Sequence, residues 1–126
     1  MTFKYFLFAS LLIFSLVSCE KESQSQTKQS EITKPSLAEG QKLFAKKCTS
    51  CHGRGAKGTD QGPPLIHKIY ESSHHGDSSF FRAAEKGVAA HHWQFGDMPP
   101  VKDISKSDMV VIVNYVRNEQ RKAGIH

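Results

Sequence analysis

The densest chemistry in this chain lies in Cys48-Thr49-Ser50-Cys51-His52. Two thiols three positions apart sit about one helical turn from each other. They can meet two vinyl groups along one porphyrin edge, while the imidazole that follows turns toward the ring centre and its iron. The motif is therefore predicted to attach one haem c covalently through Cys48 and Cys51, with His52 on the iron. Paired cysteines have other uses. A thiol oxidoreductase gives the adjacent histidine no task, and a zinc centre needs at least one further ligand at suitable spacing. The chain has three cysteines, so a disulfide would strand one reactive thiol, whereas haem attachment leaves only Cys19 to explain.

Met98 is the second candidate. It lies between Gly96 and Pro99-Pro100, in a loop where burial alone gives little reason for a methionine; Met109, on the apolar face of a helix, reads as core. A proline-stiffened loop holds one side chain over an iron at little entropic cost. A thioether is a soft, weak donor that favours ferrous iron and raises the reduction potential. His91 and His92 compete, since imidazole binds ferric iron more strongly; with Met98 ligated they are expected at the haem edge, near a propionate, with Trp93 and Phe95 packing on the ring. His67, His74, His75 and His126 read as solvated side chains.

The elements that must position these groups follow in order. Ser36, with Glu39 three residues on, opens a helix as a capping box, and Leu37, Gly40, Leu43 and Phe44 recur on one face. Gly53 to Pro64 is a loop dense in glycine and proline, long enough to need a task; wrapping the proximal side of a haem supplies one. Leu65, Ile66, Ile69 and Tyr70 add apolar surface on a short helix. Asp77 or Ser78 caps a second helix, Ser79 to Lys86, that stops at Gly87. Ser105 and Asp108 cap the last and strongest helix. Its apolar face is Met109, Val110, Ile112, Val113 and Val116, and its cationic end, Arg117 to Lys122, suits the negative pole of the dipole.

The first 35 residues are not expected to join this core. Residues 1–18 carry Lys4 and then an apolar run from Phe6 to Val17, shorter than the roughly 18 residues of a membrane span, which makes them an export signal. Residues 19–35 are polar and mixed in charge, a disordered tether with a root-mean-square reach of roughly 20–25 Å. Residues 36–126 form the single folded domain, which is small enough that a haem would serve as its missing core. Losing Lys4 with the signal leaves sixteen Lys and Arg against twelve acids, so the formal charge falls from +5 to +4. A basic surface of this kind, with Lys46, Lys47, Lys57 and Lys102 expected around the haem edge, steers toward redox partners with an acidic docking surface. Export argues against nucleic acid.

Helix, attachment motif, glycine-rich loop, helix, Met-Pro loop and closing helix together resemble a class I cytochrome c over about Ser36 to Gln120. The resemblance implies an all-α fold of about three to five helices wrapped around one covalently bound haem, the N- and C-terminal helices crossing where Gly40 and Phe44 face Tyr115. The family's Gly-Pro-x-Leu segment matches Gly62-Pro63-Pro64-Leu65, which implies that Leu65 contacts the cofactor and that the Pro63 carbonyl accepts the Nδ1 proton of His52. Met98-Pro99 matches the pair that supplies the second axial ligand. The His91-His92-Trp93 run departs from the general pattern. Leu16-Val17-Ser18-Cys19 resembles a bacterial lipobox, which implies cleavage before Cys19 and lipid on its thiol, holding the domain at a membrane and facing the periplasm or cell exterior.

With both axial positions filled, no site remains for a small-molecule substrate. The expected role is one-electron carriage in a bacterial respiratory or other exported redox chain, not enzymatic catalysis. Two alternatives remain open on sequence grounds: a haem sensor or peroxidase-like site whose sixth ligand leaves easily, and a copper-handling module built on His91, His92 and Met98.

Overall fold

A computed structural model describes residues 36–126; the expected export signal, the expected tether and Cys19 lie outside the described residues. Four α-helices follow one another: α1 (Leu37–Lys47), α2 (Thr49–His52), α3 (Asp77–Lys86) and α4 (Lys106–Lys122), with 3₁₀ turns at Arg54–Ala56 and Lys68–Tyr70. Among the described residues the only β pairing is an isolated antiparallel bridge between Val88 and Met98. None of these helices is long and apolar enough to cross a membrane.

Local chemistry accounts for most of the helix ends. The Ser36 side chain accepts from the Glu39 amide at 3.4 Å, one half of the expected capping box. The box at α4 closes fully, with the Asp108 amide donating to Ser105 Oγ at 3.0 Å and the Ser105 amide to Asp108 Oδ2 at 2.9 Å. These bonds hold the Asp108 carboxyl below its usual range. Helix α3 ends at Gly87, whose φ of 77° suits a residue without a side chain. Its start differs from the sequence expectation. Gly76 is the N-cap and Asp77 already lies in the first turn, because the Asp77 carboxylate is engaged by Arg117 and is not free to cap.

The expected crossing of the terminal helices is present. A Cβ on Gly40 would collide with the Val111 carbonyl of α4 and stand 2.9 Å from the Tyr115 Cβ, so only glycine admits this approach. One turn later the Phe44 and Tyr115 rings meet at 5.4 Å between centroids. Phe44 and Val116 are almost wholly buried, each contributing roughly 1.5–3 kcal/mol of transfer free energy. Met109, Ile112 and Val113 complete the inward face of α4, so Met109 is core as expected. Val110 and Leu37 were expected on apolar faces; they remain 41% and 45% exposed, Val110 because it lies to the side of the 109/112/116 line and Leu37 because it sits in the first turn of α1.

Arg117 is the larger departure. It does not decorate the end of α4 but turns inward, its side chain 8% exposed. Nε donates to Asp77 Oδ1 at 2.7 Å, Nη1 to the Tyr70 carbonyl at 2.6 Å and to Gln120 Oε1 at 2.7 Å, and Nη2 to the His75 carbonyl. Its guanidinium also lies 4.8 Å over the Phe80 ring. Buried Gln120 donates to the carbonyls of Leu65 and Tyr70 at 2.8 and 3.1 Å. Carbonyls of the irregular 65–76 segment need donors once they leave water, and α4 supplies them.

Candidate functional site

The helices do not close on a filled core. They surround a cavity of about 700 Å³ whose lining includes Phe44, Leu65, Ala84, Ile112 and Val116. Protein interiors pack to crystal density with few voids larger than a water, so an apolar space this large implies a group that fills it. Cys48, Cys51, His52, Pro63 and Met98 all open onto the same cavity. The structure thus brings together every residue singled out from the sequence of this domain as cofactor-binding.

The attachment motif is set by a bend. Cys48 caps α1, its amide donating to the Phe44 carbonyl at 2.8 Å, and at φ −124° and ψ −27° it turns the chain into α2. Thr49 Oγ1 donates to the same carbonyl at 3.3 Å. The His52 amide then closes a helical turn on the Cys48 carbonyl at 2.9 Å, which places the two thiols a turn apart as the spacing required. Cys51 is exposed and Cys48 half-buried. Burial pushes the Cys48 thiol up to about 11. A redox dithiol needs the opposite, a thiol whose pKa is depressed.

The glycine-rich loop wraps this motif through its backbone. Gly53, at φ 72°, lets the chain reverse so that the Gly58 amide reaches the His52 carbonyl at 2.7 Å. Thr59 Oγ1 donates to the Cys51 carbonyl at 2.6 Å, and a side chain at Gly62 would press on Cys51, its Cβ 3.0 Å away. The loop delivers the Pro63 carbonyl to within 2.9 Å of His52 Nδ1. A carbonyl only accepts, so Nδ1 carries the proton and Nε2 keeps its lone pair. Burial lowers the pKa of His52, and the Pro63 bond partly offsets that. This is a neutral imidazole whose orientation and basicity are set by a second partner. Leu65 is buried on the cavity wall, held by bonds from its amide to Ala56 and from Gln120 to its carbonyl.

Met98 stands at the neck of a second loop. Its amide and carbonyl pair with those of Val88, each bond 2.9 Å. The Asp97 carboxylate accepts from the Ala90 amide at 2.9 Å, and the Val101 amide ties the returning strand to the Ala84 carbonyl of α3 at 2.8 Å. A side chain at Gly87 would meet the Met98 carbonyl and the Pro100 ring, so the Met-Pro segment lies directly against the end of α3. Met98 is half-buried on the cavity wall. His91, His92, Trp93 and Phe95 occupy the loop above this neck.

One sequence expectation changes here, that of the solvated histidines. Trp93 lines the cavity, and its Nε1 is the buried side-chain polar atom without a hydrogen-bond partner among the described residues. Phe95 packs against it at 6.2 Å but stays 39% exposed. The histidines read as solvated are not all free. His67 accepts from the Ile69 amide at 3.2 Å and meets Trp93 edge-on at 5.1 Å. His75 is half-buried, its Nδ1 2.6 Å from the Ile69 carbonyl, and His74 and His75 lie against His92, ring centroids 5.4 and 5.2 Å apart. No spacing rule joins positions 17 or 18 residues apart; the nearest signal was the doublet His74-His75 facing the doublet His91-His92.

Lys46, Lys47, Lys102 and Arg82 border the cavity. The Lys47 ammonium donates to the Lys102 carbonyl at 3.1 Å, pinning the end of α1 to the loop before α4. Lys57, expected with them, lies in the glycine-rich loop away from the rim.

Comparison with curated proteins gives no match, and neither does comparison with solved structures. The sequence model of the cytochrome c family matches residues 37–120, a span that runs from the first residue of α1 through the attachment motif and the Met98 loop to the buried Gln120. This chain belongs to the cytochrome c family: it binds covalently attached haem c and is a haem-based electron carrier.

Proposed function

We propose that this cytochrome ligates its haem iron through His52 and Met98 and carries single electrons in an exported bacterial redox chain, held at a membrane by lipid on Cys19. The observation that carries the ligation is the His52 imidazole, fixed at Nδ1 by the Pro63 carbonyl at 2.9 Å on the wall of a cavity that Met98 also lines. The residues present fit a haem. Two thiols and an imidazole share that wall, and the cavity volume falls within the roughly 300–1,000 Å³ of cofactor pockets. Trp93 lines the same cavity.

Haem c supplies reversible one-electron exchange at its iron. The chain does the rest. The Pro63 carbonyl orients His52 and fixes its tautomer, while burial disfavours the charged ring. The clasp between Val88 and Met98 and the stiff Pro99-Pro100 pair present the thioether, a weak donor that raises the potential. The apolar wall excludes water and holds the surroundings alike in both oxidation states. Lys46, Lys47 and Lys102 at the mouth give a redox partner with an acidic docking surface an orientation for electron exchange. With His52 and Met98 both held for the iron, the protein would pass electrons rather than act as an enzyme on a bound substrate.

Visible spectroscopy of the oxidised protein tests the ligation. The sulfur-to-iron charge-transfer band is expected in the native protein and in His91→Ala and His92→Ala, and is lost in Met98→Ala, whose reduced form then binds added carbon monoxide. A band that is absent from the native protein, or that survives Met98→Ala, overturns the assignment.

A further inference from the structure

Four imidazoles gather beside the mouth of the cavity. His74 and His75 follow the 3₁₀ turn at Lys68–Tyr70, and both of their amides donate to the Glu71 carbonyl, at 3.1 and 2.8 Å. The backbone beneath them is firm. The Tyr70 carbonyl takes donors from Arg117 and Gln120, and the His75 carbonyl one from Arg117. His91 and His92 come from the loop closed by Val88 and Met98, their rings 4.3 Å apart. His92 bridges the two groups.

One ring nitrogen from each of His74, His75 and His92 lies within 4.8 Å of the others. Metal–nitrogen bonds of about 2.0–2.1 Å set donor atoms about 3.3 Å apart in a tetrahedron and about 4.1 Å apart across a square. Small rotations of the exposed His74 and His92 side chains close the remaining gap. The tautomers suit ligation as well. His75 Nδ1 at 2.6 Å from the Ile69 carbonyl and His91 Nδ1 at 2.8 Å from the Ala89 carbonyl each carry a proton, so Nε2 is the nitrogen that each ring can offer to a metal. Among the described residues no carboxylate forms an ion pair with any of the four. Cations packed this closely without a counter-ion repel one another. The neutral, lone-pair-bearing form is the one this arrangement favours.

We propose that His74, His75 and His92, with His91 beside them, bind one divalent copper ion at the rim of the haem cavity. Imidazole nitrogens suit copper and zinc alike, and copper(II) stands highest in the affinity order of the divalent ions. The site is separate from the axial positions of the haem and uses His74 and His75 where a set of His91, His92 and Met98 would use the methionine. Its existence does not depend on which side chain is the sixth iron ligand. His75, His91 and His92 also line the cavity, so a bound dication there disfavours the added positive charge of ferric haem and raises the potential.

The experiment is a titration of the oxidised, haem-loaded protein with copper(II), and separately with zinc(II), followed by calorimetry and by electron paramagnetic resonance of the copper. One copper per chain is expected, with nitrogen hyperfine structure, a zinc affinity below that of copper, and a rise in haem potential on saturation. His74→Ala and His92→Ala each weaken copper binding by at least about tenfold; both positions are exposed, and an unchanged haem spectrum verifies folding. His126→Ala leaves binding unchanged. Unsaturable binding, an affinity indifferent to both ligand variants, or copper binding lost in Met98→Ala but kept in His74→Ala would each overturn the proposal; the last result would place the ion on the loop methionine.

Discussion

Replacing Arg117 by methionine isolates the guanidinium, because methionine keeps an unbranched apolar stem of similar reach. Four hydrogen bonds go with the charge, two of them to the Tyr70 and His75 carbonyls. The Tyr70 carbonyl retains its bond from Gln120, but Gln120 Oε1 and the His75 carbonyl lose their donor from Arg117. Each such loss costs about 1–3 kcal/mol in a buried setting. The Asp77 side chain is 63% exposed, so solvent screening limits its share to about 1 kcal/mol or less. The contact over Phe80 adds roughly 0.5–1 kcal/mol. The sum is a loss of about 3–8 kcal/mol, a large share of the 5–15 kcal/mol typical of a folded domain. Guanidinium chloride unfolding of the oxidised protein, followed by far-ultraviolet circular dichroism, measures it. The same variant frees the backbone of 70–76, so amide hydrogen exchange at His74 and His75 should quicken while α1 stays protected. A loss below about 1 kcal/mol, or exchange that quickens equally everywhere, would show that Arg117 is not the tie between α4 and this segment.

Three other expectations follow from the geometry. Gly40→Ala drives a Cβ into the Val111 carbonyl and should cost about 1–3 kcal/mol in chemical denaturation despite the better helix propensity of alanine; a variant as stable as the parent would mean the terminal helices do not cross this closely. Electron transfer to the physiological partner should slow as ionic strength passes about 0.1 M, where the Debye length is about 10 Å, and Lys46→Glu combined with Lys102→Glu should slow it further at low salt; rates indifferent to both would remove the rim lysines from docking. Cys19→Ser should release the protein from the membrane fraction with its haem intact, since each buried lipid methylene contributes about 0.8 kcal/mol of membrane affinity, and continued sedimentation with membranes would refute the lipid anchor.

What the sequence disclosed depended on the range of the interaction. Features that close within a few residues were legible: the turn separating Cys48 from Cys51, the Ser105–Asp108 box, the stop at Gly87. The crossing through Gly40 and the pairing of His52 with Pro63 are longer in range and were reached through the family resemblance. Arg117 was misplaced because a cation near a helix C-terminus has a sufficient local explanation in the dipole, and three of its partners, Asp77 and the Tyr70 and His75 carbonyls, lie 40 to 47 positions away, between the 3₁₀ turn at Lys68–Tyr70 and the start of α3. The start of α3 was misplaced for the same cause, since Asp77 looked free to cap until Arg117 claimed it. The histidine cluster was invisible because it depends on how two loops are folded toward each other, which periodicity does not encode.

The clasp at Val88 and Met98 makes the intervening segment an interchangeable cassette. Its two hydrogen bonds join backbone to backbone, and the adjoining tie from Val101 to Ala84 is also main chain. Inside the loop only Asp97 contributes a side chain to holding the ends together. Residues 89–95 can therefore diverge in sequence while the thioether stays where it is, so what the loop tip presents to the cavity mouth can be selected, or engineered, without rebuilding the support of the methionine.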